Sequence, residues 1–224
     1  MPATKRRKPR VNSPAAPSRK ERERQSRRLE IVHAARTVFA RHGFNSATLE
    51  EIAERAEFGK GTLYNYFDSK DDLFTAVMDD LFHDVRAIAE EVTVNGGALE
   101  ETLLDYATRL IDYYRENYPF CRLLMREWLH TEPEAVDRRV AQVQRRVRDV
   151  AAPLAQFFRR ATRNGEMHRG DPDIRANLFV GLIHHYYMHV AAPNPPTSRR
   201  AVSAHARLVV SLFLNGVAGI GARS

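Results

Sequence analysis

Donor side chains are concentrated in one short stretch, which reads GKGTLYNYFDSKDDL from Gly59 to Leu73. Two lysines, a threonine and two tyrosines fall between Lys60 and Lys70. A buried helix would carry Leu or Val at most of these positions, and a solvated helix would avoid tyrosine. Hydroxyl and ammonium groups are suited to phosphate oxygens. The stretch therefore predicts a large anionic partner.

The positive charge of the chain is confined to its beginning. Residues 1–28 hold eleven Lys/Arg and two Asp/Glu, a net of +9, whereas the other residues hold 24 and 26, a net of −2. Residues 1–18 are rich in Pro, Ser, Ala and charge, so we expect a disordered basic arm over about residues 1–20. Such an arm suits phosphate, although a solubilising tail would have the same composition.

Enzyme and membrane signatures are missing from the sequence. It has no phosphate-binding glycine loop, HExxH motif, nucleophile elbow or paired cysteines, so we expect neither catalysis nor a cofactor. The single cysteine, Cys121, excludes an intrachain disulfide. No signal peptide pattern opens the chain, and the longest apolar tract, 176–192, contains three histidines. These features predict a cytoplasmic protein without membrane contact.

Apolar residues recur at three- and four-residue spacing along the whole chain after residue 29, which predicts an all-α fold. Helix caps mark the boundaries of these segments. The caps are Thr48 with Glu51, Ser69 with Asp72, Asp171 before Pro172, and a left-handed C-cap at Gly43. The longer helices are expected at about 99–117, 119–130, 133–164, 173–191 and 201–215. Two short helices, beginning after Thr48 and after Gly59, form the outline of a helix-turn-helix.

The segment 31–73 closely resembles the DNA-binding region of the tetracycline-repressor (TetR) family. The matching residues are Ala35, Phe39, Gly43, Phe44, Thr48, Ile52, Ala53, Ala56, Gly61, Thr62, Leu63, Tyr64, Phe67, Lys70 and Leu73. The resemblance implies an N-terminal three-helix bundle with a helix-turn-helix at residues 21–74. A larger helical domain for effector binding and dimerisation would follow at 75–224.

The resemblance also assigns roles along the recognition helix, residues 60–67. It places Lys60, Gly61, Asn65 and Tyr66 at base edges, where lysine can donate to guanine and asparagine can pair with adenine. Phosphates would be held by Thr48, Thr62, Tyr64 and Lys70. The alternative for Tyr64 is core packing, and for Lys70 a solvated position in the first turn of the next helix.

Two positions depart from the family pattern. Glu57 stands where the family usually has glycine, and a left-handed conformation there would cost a non-glycine residue about 1–2 kcal/mol. Gly59 stands where a serine-type N-cap is usual, and glycine caps a helix nearly as well.

The last two helices are apolar on more than one stripe and therefore predict a homodimer built from four helices. The interface residues would be Leu178, Leu182, Tyr186, Leu208, Leu212 and Phe213. A monomeric core would show the same pattern. His185 and His189 are spaced for metal chelation, but ordinary packing is favoured and no metal site is expected.

Large side chains cluster in the middle helices and predict either a pocket for a small apolar or aromatic effector or an ordinary core. The candidate pocket residues are Tyr106, Tyr113, Phe120, Leu124, Met125, Trp128 and Phe157. The favoured function is a repressor that binds a palindromic operator as a dimer and is released by an effector. The alternative is a DNA-binding protein of the same fold without a small effector, which acts in chromosome organisation or through a protein partner. A cavity of roughly 300 Å³ or more enclosed by the cluster around Trp128 would favour the repressor.

Overall fold

The computed structural model describes the backbone of residues 18–94, 97–129 and 133–219, and the side chains of these residues except those at 128–129, 133–140 and 217–219. All regular elements in these ranges are helical, so the all-α prediction is confirmed. The helices are α1 (Arg19–Ser46), α2 (Leu49–Arg55), α3 (Lys60–Tyr64), α4 (Lys70–Val94), α5 (Leu99–Leu129), α6 (Pro133–Arg163), α7 (Pro172–Tyr186) and α8 (Arg199–Gly219). A π-helical turn, Tyr187–Ala191, extends α7.

The three side-chain N-caps read from the sequence are present. Thr48 accepts a hydrogen bond from the backbone N–H of Glu51 (3.2 Å), and Ser69 accepts one from Asp72 (3.0 Å). Asp171 accepts bonds from the two backbone N–H groups that follow Pro172. These bonds satisfy N–H groups that have no partner inside their own helix, which is why the helices begin where they do.

Helix α1 differs from expectation at both ends. It begins at Arg19, capped by Ser18 and Glu21, so the expected disordered arm does not include Arg19 and Lys20. Residues 1–17 lie outside the described residues. Near its other end, Gly43 has φ 79° and ψ 170°, a kink in an extended mirror-image conformation rather than the left-handed helical cap that was expected. Glycine tolerates this conformation because it has no Cβ.

Two further boundary predictions are wrong. The expected separate helices at 99–117 and 119–130 are one helix, α5, with Pro119 inside it. An internal proline costs a helix about 3 kcal/mol, and the burial of the next residues, Phe120 and Cys121, offsets that cost. The expected single α-helix at 173–191 changes to π geometry after Tyr186.

Helices α1 to α3 form a small bundle at one end of a continuous core. Helix α1 also packs against α4 and α5, while α6 packs against α4 and α7, and α5 packs against α8. Aromatic rings join the bundle to the larger helical part: Phe74 lies 5.3 Å from Phe39, 4.9 Å from Phe44 and 6.0 Å from Phe120 between ring centroids. Helix α4 therefore belongs to both parts.

Candidate nucleic-acid interface

A tight turn sets the angle between α2 and α3. The N–H of Phe58 donates to the carbonyl of Ala53 (2.9 Å), and the N–H of Glu57 donates to that of Glu54 (3.0 Å). This pair of bonds is the Schellman motif, which requires a left-handed residue just after the helix. Glu57 occupies that position with φ 58°, and no other described non-glycine residue has a positive φ.

Helix α3 is held to the bundle by its inner face. Leu63 and Phe67 are buried, as are Ile52 and Ala53 of α2. The regular helix ends at Tyr64, earlier than the predicted 60–67, although the N–H of Phe67 still donates to the carbonyl of Leu63 (3.1 Å). Because the inner face is apolar and buried, the polar residues of α3 must lie on the outside.

The residues predicted to contact DNA are all accessible. Lys60, Gly61, Tyr64, Asn65 and Thr48 are exposed, and Thr62, Tyr66 and Lys70 are half-buried. The Tyr64 side chain is 46% exposed, which argues against the alternative of core packing for that residue.

Lys60 is not free in the unbound protein. Its ammonium group pairs with the carboxylate of Glu50 on α2, and the hydrogen bond from Lys60 to Glu50 raises the pKa of Lys60. The same ammonium lies 6.0 Å from the centroid of the Tyr64 ring. Sequence spacing did not indicate this pair, and a base contact by Lys60 requires that Glu50 releases it.

Lys70 closes the loop between α1 and α2. Its ammonium donates to the carbonyls of Asn45 (3.0 Å) and Ala47 (3.1 Å), and lies 4.8 Å from the centroid of the Phe44 ring. These contacts use two of its three N–H donors. In the unbound protein Lys70 thus fixes the backbone just before the N-cap of α2.

A cavity of about 400 Å³ lies among α4, α5, α6 and α7. Its lining is almost entirely apolar and comprises Met78, Leu81, Phe82, Val85, Tyr114, Cys121, Leu124, Met125, Val143, Val147, Val150, Val180, Gly181 and His184. Of the pocket residues predicted from the sequence, only Leu124 and Met125 are among them. Trp128 lies outside the residues whose side chains are described.

The other predicted pocket residues lie elsewhere, because aromatic content alone does not separate core from cavity. Tyr106 is fully buried against Phe179 with a ring-centroid distance of 6.0 Å. Phe120 belongs to the aromatic cluster around Phe74, and Phe157 lines a separate surface depression with Arg160. Tyr113 faces α1. The missed lining residues are mainly valines of α6 and aliphatic residues of α4, which no sequence motif distinguishes.

The few polar groups of the cavity are neutral at pH 7. Burial lowers the pKa of His184, and the neighbouring His189 and His185 lower it further. Burial raises the pKa of Cys121 to about 12, so its thiol stays protonated. Burial also raises the pKa of Tyr114. The described lining of the cavity thus offers no ionised partner for a charged ligand.

A polar network joins α1 to the helices around the cavity. The Arg36 guanidinium on α1 donates to the Tyr113 hydroxyl (2.8 Å) and lies 3.3 Å from a carboxylate oxygen of Asp84 and 3.5 Å from one of Asp80. The Tyr113 hydroxyl in turn donates to Asp84 (2.9 Å). Burial, and then Asp84, raise the pKa of Asp80. The network places charge at the contact between the small bundle and the larger helical part.

The predicted dimer residues divide into exposed and packed groups. Leu178 is 61% exposed and Leu208 is 42% exposed. Leu182 and Leu212 are half-buried. The remaining two pack within the chain: Tyr186 hydrogen-bonds His205 (3.0 Å), and Phe213 contacts Phe179 (4.7 Å between centroids).

Neither a metal centre nor a membrane-spanning helix occurs among the described residues. No described group of three or more His, Cys, Asp or Glu side chains is arranged to hold a metal ion. Within the same part of the chain, no helix is long and apolar enough to span a bilayer. His185 and His189 are both exposed, with ring centroids 4.7 Å apart.

Comparisons with known proteins agree with this geometry. Residues 31–77 match the model for bacterial regulatory proteins of the tetR family. The transcriptional repressor AcnR of Corynebacterium diphtheriae is 29% identical over 160 residues, which cover 71% of this chain and 74% of AcnR. A regulator from Mesorhizobium loti described as TetR-family has a solved structure with 26% identity and a TM-score of 0.66, covering 85% of this chain and 96% of that one.

A further solved structure shares the fold at lower identity. FadR from Bacillus subtilis, solved in complex with stearoyl-CoA, is 18% identical with a TM-score of 0.69. The alignment covers 84% of this chain and 98% of FadR. The likeness therefore extends beyond the small bundle to the larger helical part.

Proposed function

Because the chain belongs to the tetR family of bacterial regulatory proteins, we propose that it is a repressor that binds its operator as a dimer and is released by a small, neutral, apolar molecule. It is a helix-turn-helix transcriptional regulator. The observation that carries the finer proposal is that α4 both anchors the loop before α2 through Lys70 and lines the apolar cavity.

Residues 21–74 would form the DNA-binding domain and 75–224 the sensing domain. In this proposal Gly61, Asn65 and Tyr66 face base edges, and Lys60 joins them once it leaves Glu50. Thr48, Thr62 and Tyr64 hold phosphates. For Lys70, the two carbonyl contacts support a role in positioning α2, with one N–H left to reach a phosphate. The basic arm at residues 1–18 would add contacts to the DNA backbone.

The exposed apolar residues of α7 and α8 support the dimer. Ile174, Leu178 and Leu208 are each more than two-fifths exposed on the last two helices. Burying a leucine side chain contributes about 1.5–3 kcal/mol, so pairing these surfaces across a two-fold axis is favourable. A protein that binds chromosomal DNA and has no membrane helix in its described part would act in the cytoplasm.

The cavity supports control by a small molecule. Its volume of about 400 Å³ is in the range of small-molecule sites and exceeds the roughly 300 Å³ expected if an effector binds. This favours an effector-controlled repressor over a chromosome-organising protein of the same fold. Because His184, Tyr114 and Cys121 are all neutral at pH 7, the ligand is an uncharged aliphatic or aromatic molecule.

The DNA-binding half of the proposal can be tested by selecting binding sites for the wild type and for Asn65→Ala. We expect Asn65→Ala to relax base preference at one symmetric pair of positions by about 1–3 kcal/mol. Asn194→Ala is the matched control, because Asn194 is an exposed loop residue far along the chain. An Asn65→Ala consensus identical to that of the wild type would remove Asn65 from the reading surface.

The effector half can be tested through Cys121, which lines the cavity and is the only cysteine in the sequence. Alkylation requires the thiolate and is followed at alkaline pH, because burial raises the pKa of Cys121 to about 12. A molecule that fills the cavity should slow this alkylation and should also release operator DNA in a gel-shift assay. Gly181→Leu should abolish both effects, because a Cβ at Gly181 meets no atom within 4 Å and the leucine can enter the cavity. Gly181→Ala, which adds only a methyl group, should keep the response. Release of DNA without protection of Cys121 would place the effector elsewhere.

A further inference from the structure

The first part of α1 extends beyond the core as an exposed basic helix. Every residue from Ser18 to Glu30 is exposed, and the first buried residue is Ile31. Residues 19–28 contain six Lys/Arg and two Asp/Glu, a net of +4. Twelve helical residues before the core correspond to about 18 Å of helix. We name this segment, residues 19–30, the α1 extension.

The cations of the α1 extension are arranged along one side. Lys20, Arg24, Arg27 and Arg28 are separated by four, seven and eight residues, which places them on one helix face. Ile31 follows Arg24 by seven residues and lies on the same face, where it packs into the core. The same face of α1 is therefore apolar within the bundle and cationic in the α1 extension.

This cationic face adjoins the end of the recognition helix. The Arg24 guanidinium lies 6.0 Å from the centroid of the Tyr66 ring, and that of Arg28 lies 4.9 Å from the centroid of the Phe67 ring. Tyr66 and Phe67 directly follow α3 in the chain. The two arginines fix the α1 extension against the element that enters the groove. Lys20 and Arg27 have no hydrogen-bond or ion-pair partner among the described residues.

The helix-turn-helix itself lacks the charge that DNA binding requires. Residues 29–70 contain five Lys/Arg and six Asp/Glu, a net of −1. Three of those five cations are engaged within the protein: Arg36 pairs with Asp84 and Asp80, Lys60 pairs with Glu50, and Lys70 donates to backbone carbonyls. Neutralised phosphates supply most non-specific affinity for DNA, so cations outside this segment must provide it.

We propose that Lys20, Arg24, Arg27 and Arg28 form a second DNA-contact surface that holds the phosphate backbone beside the groove entered by α3. This inference rests on the proposed DNA-binding function. The contact is sequence-independent, because phosphates carry no base information. It is also pre-organised, because the cations stand on a helix whose position is fixed by Tyr66 and Phe67.

The test compares two double variants of the full-length chain that lose the same charge from opposite faces of the α1 extension. Lys20→Ala/Arg27→Ala removes the cations that face the proposed backbone contact and spares the two arginines that touch rings. Arg19→Ala/Arg22→Ala removes two cations from the other face. Affinity for operator and for random DNA is measured across a salt series, with thermal unfolding as the check on folding.

For a dimer, two lysine or arginine contacts per subunit correspond to four phosphates, so Lys20→Ala/Arg27→Ala should lower the magnitude of the log–log salt slope by about 3–4. The loss of affinity should be the same on operator and random DNA, which leaves the specificity ratio unchanged. Arg19→Ala/Arg22→Ala should change the slope by less than 1. Equal slopes for the two variants would overturn the inference while leaving the proposed function intact. If the wild-type protein bound no DNA at any salt concentration, the proposed DNA-binding function would itself be wrong.

Discussion

Replacing Glu57 by glycine should stabilise the protein. Glu57 has φ 58° in the Schellman turn after α2, a conformation that places the Cβ of an L-residue close to the following carbonyl oxygen. The Glu57 side chain is exposed, and its carboxylate makes no hydrogen bond or ion pair with another described residue. The replacement therefore removes strain and sacrifices no contact.

The size of the gain follows from two opposing terms. The left-handed conformation costs a non-glycine residue about 1–2 kcal/mol. Glycine loses more backbone entropy on folding, which costs about 0.5–1 kcal/mol. The net gain in the free energy of unfolding is therefore about 0.5–1 kcal/mol, or about 1–4 °C in Tm for a chain of this size. Urea and thermal unfolding at one fixed protein concentration measure this gain, because the stability of the proposed dimer would depend on concentration.

Glu57→Ala is the control that separates backbone from side chain. Alanine retains the Cβ and hence the strain, so Glu57→Ala should match the wild type in stability. If Glu57→Ala and Glu57→Gly were equally stabilising, the strain at this turn would not lie in the backbone and the reasoning would be refuted.

Substitutions at four other residues give separate tests of stability. Lys70→Ala should lower the free energy of unfolding by about 1.5 kcal/mol or more, because two charge-assisted hydrogen bonds are lost. Lys60→Ala should change the free energy of unfolding little, because the ion pair of Lys60 is exposed. Urea unfolding of both variants and the wild type measures the difference. Tyr113→Phe should cost about 1–2 kcal/mol, because Arg36 loses a partner, and equal melting of Tyr113→Phe and the wild type would contradict this. His184→Gln should lessen the loss of stability in acid. The pKa of His184 is lowered in the folded protein, so the unfolded chain takes up the proton first and the free energy of unfolding falls as the pH drops below the ordinary value of 6.5. The measurement is the free energy of unfolding of both proteins at pH 7.5 and at pH 5.5. An equal loss between the two pH values in His184→Gln and the wild type would contradict this prediction.

The sequence predicted where a helix begins at each position that carries a side-chain N-cap. Thr48, Ser69 and Asp171 each cap a helix, because a side-chain acceptor beside free N–H groups is a short-range requirement. The resemblance identified Glu57 as the turn residue at which a left-handed conformation would be strained, and Glu57 has that conformation. Pro119 misled the prediction, because its effect on α5 depends on burial that the whole fold provides.

The site residues show the same division between local and tertiary information. Exposure of the α3 side chains followed from the apolar spacing of Leu63 and Phe67. The partners of Lys60 and Lys70 could not be read from the sequence, since Lys70 bonds residues 23 and 25 positions away. The cavity was predicted from aromatic residues, yet its walls are mainly aliphatic. The cavity is a space that the side chains of four helices leave unfilled, so the sequence of any one helix does not predict it.

The continuity of helix α4 from Lys70 to Val94 limits how chimaeric proteins can be built from this chain. The boundary expected between residues 74 and 75 falls inside a continuous helix, between Phe74, which packs on Phe39 and Phe44, and Met78, which lines the cavity. One residue inserted there would rotate the larger helical part by about 100° relative to the small bundle and shift it by about 1.5 Å. Seven inserted residues would bring the two halves back to within about 20° of their original phase. A chimaera that exchanges the larger helical part must therefore preserve the helical phase of α4 at the junction, and a flexible linker would not preserve that phase.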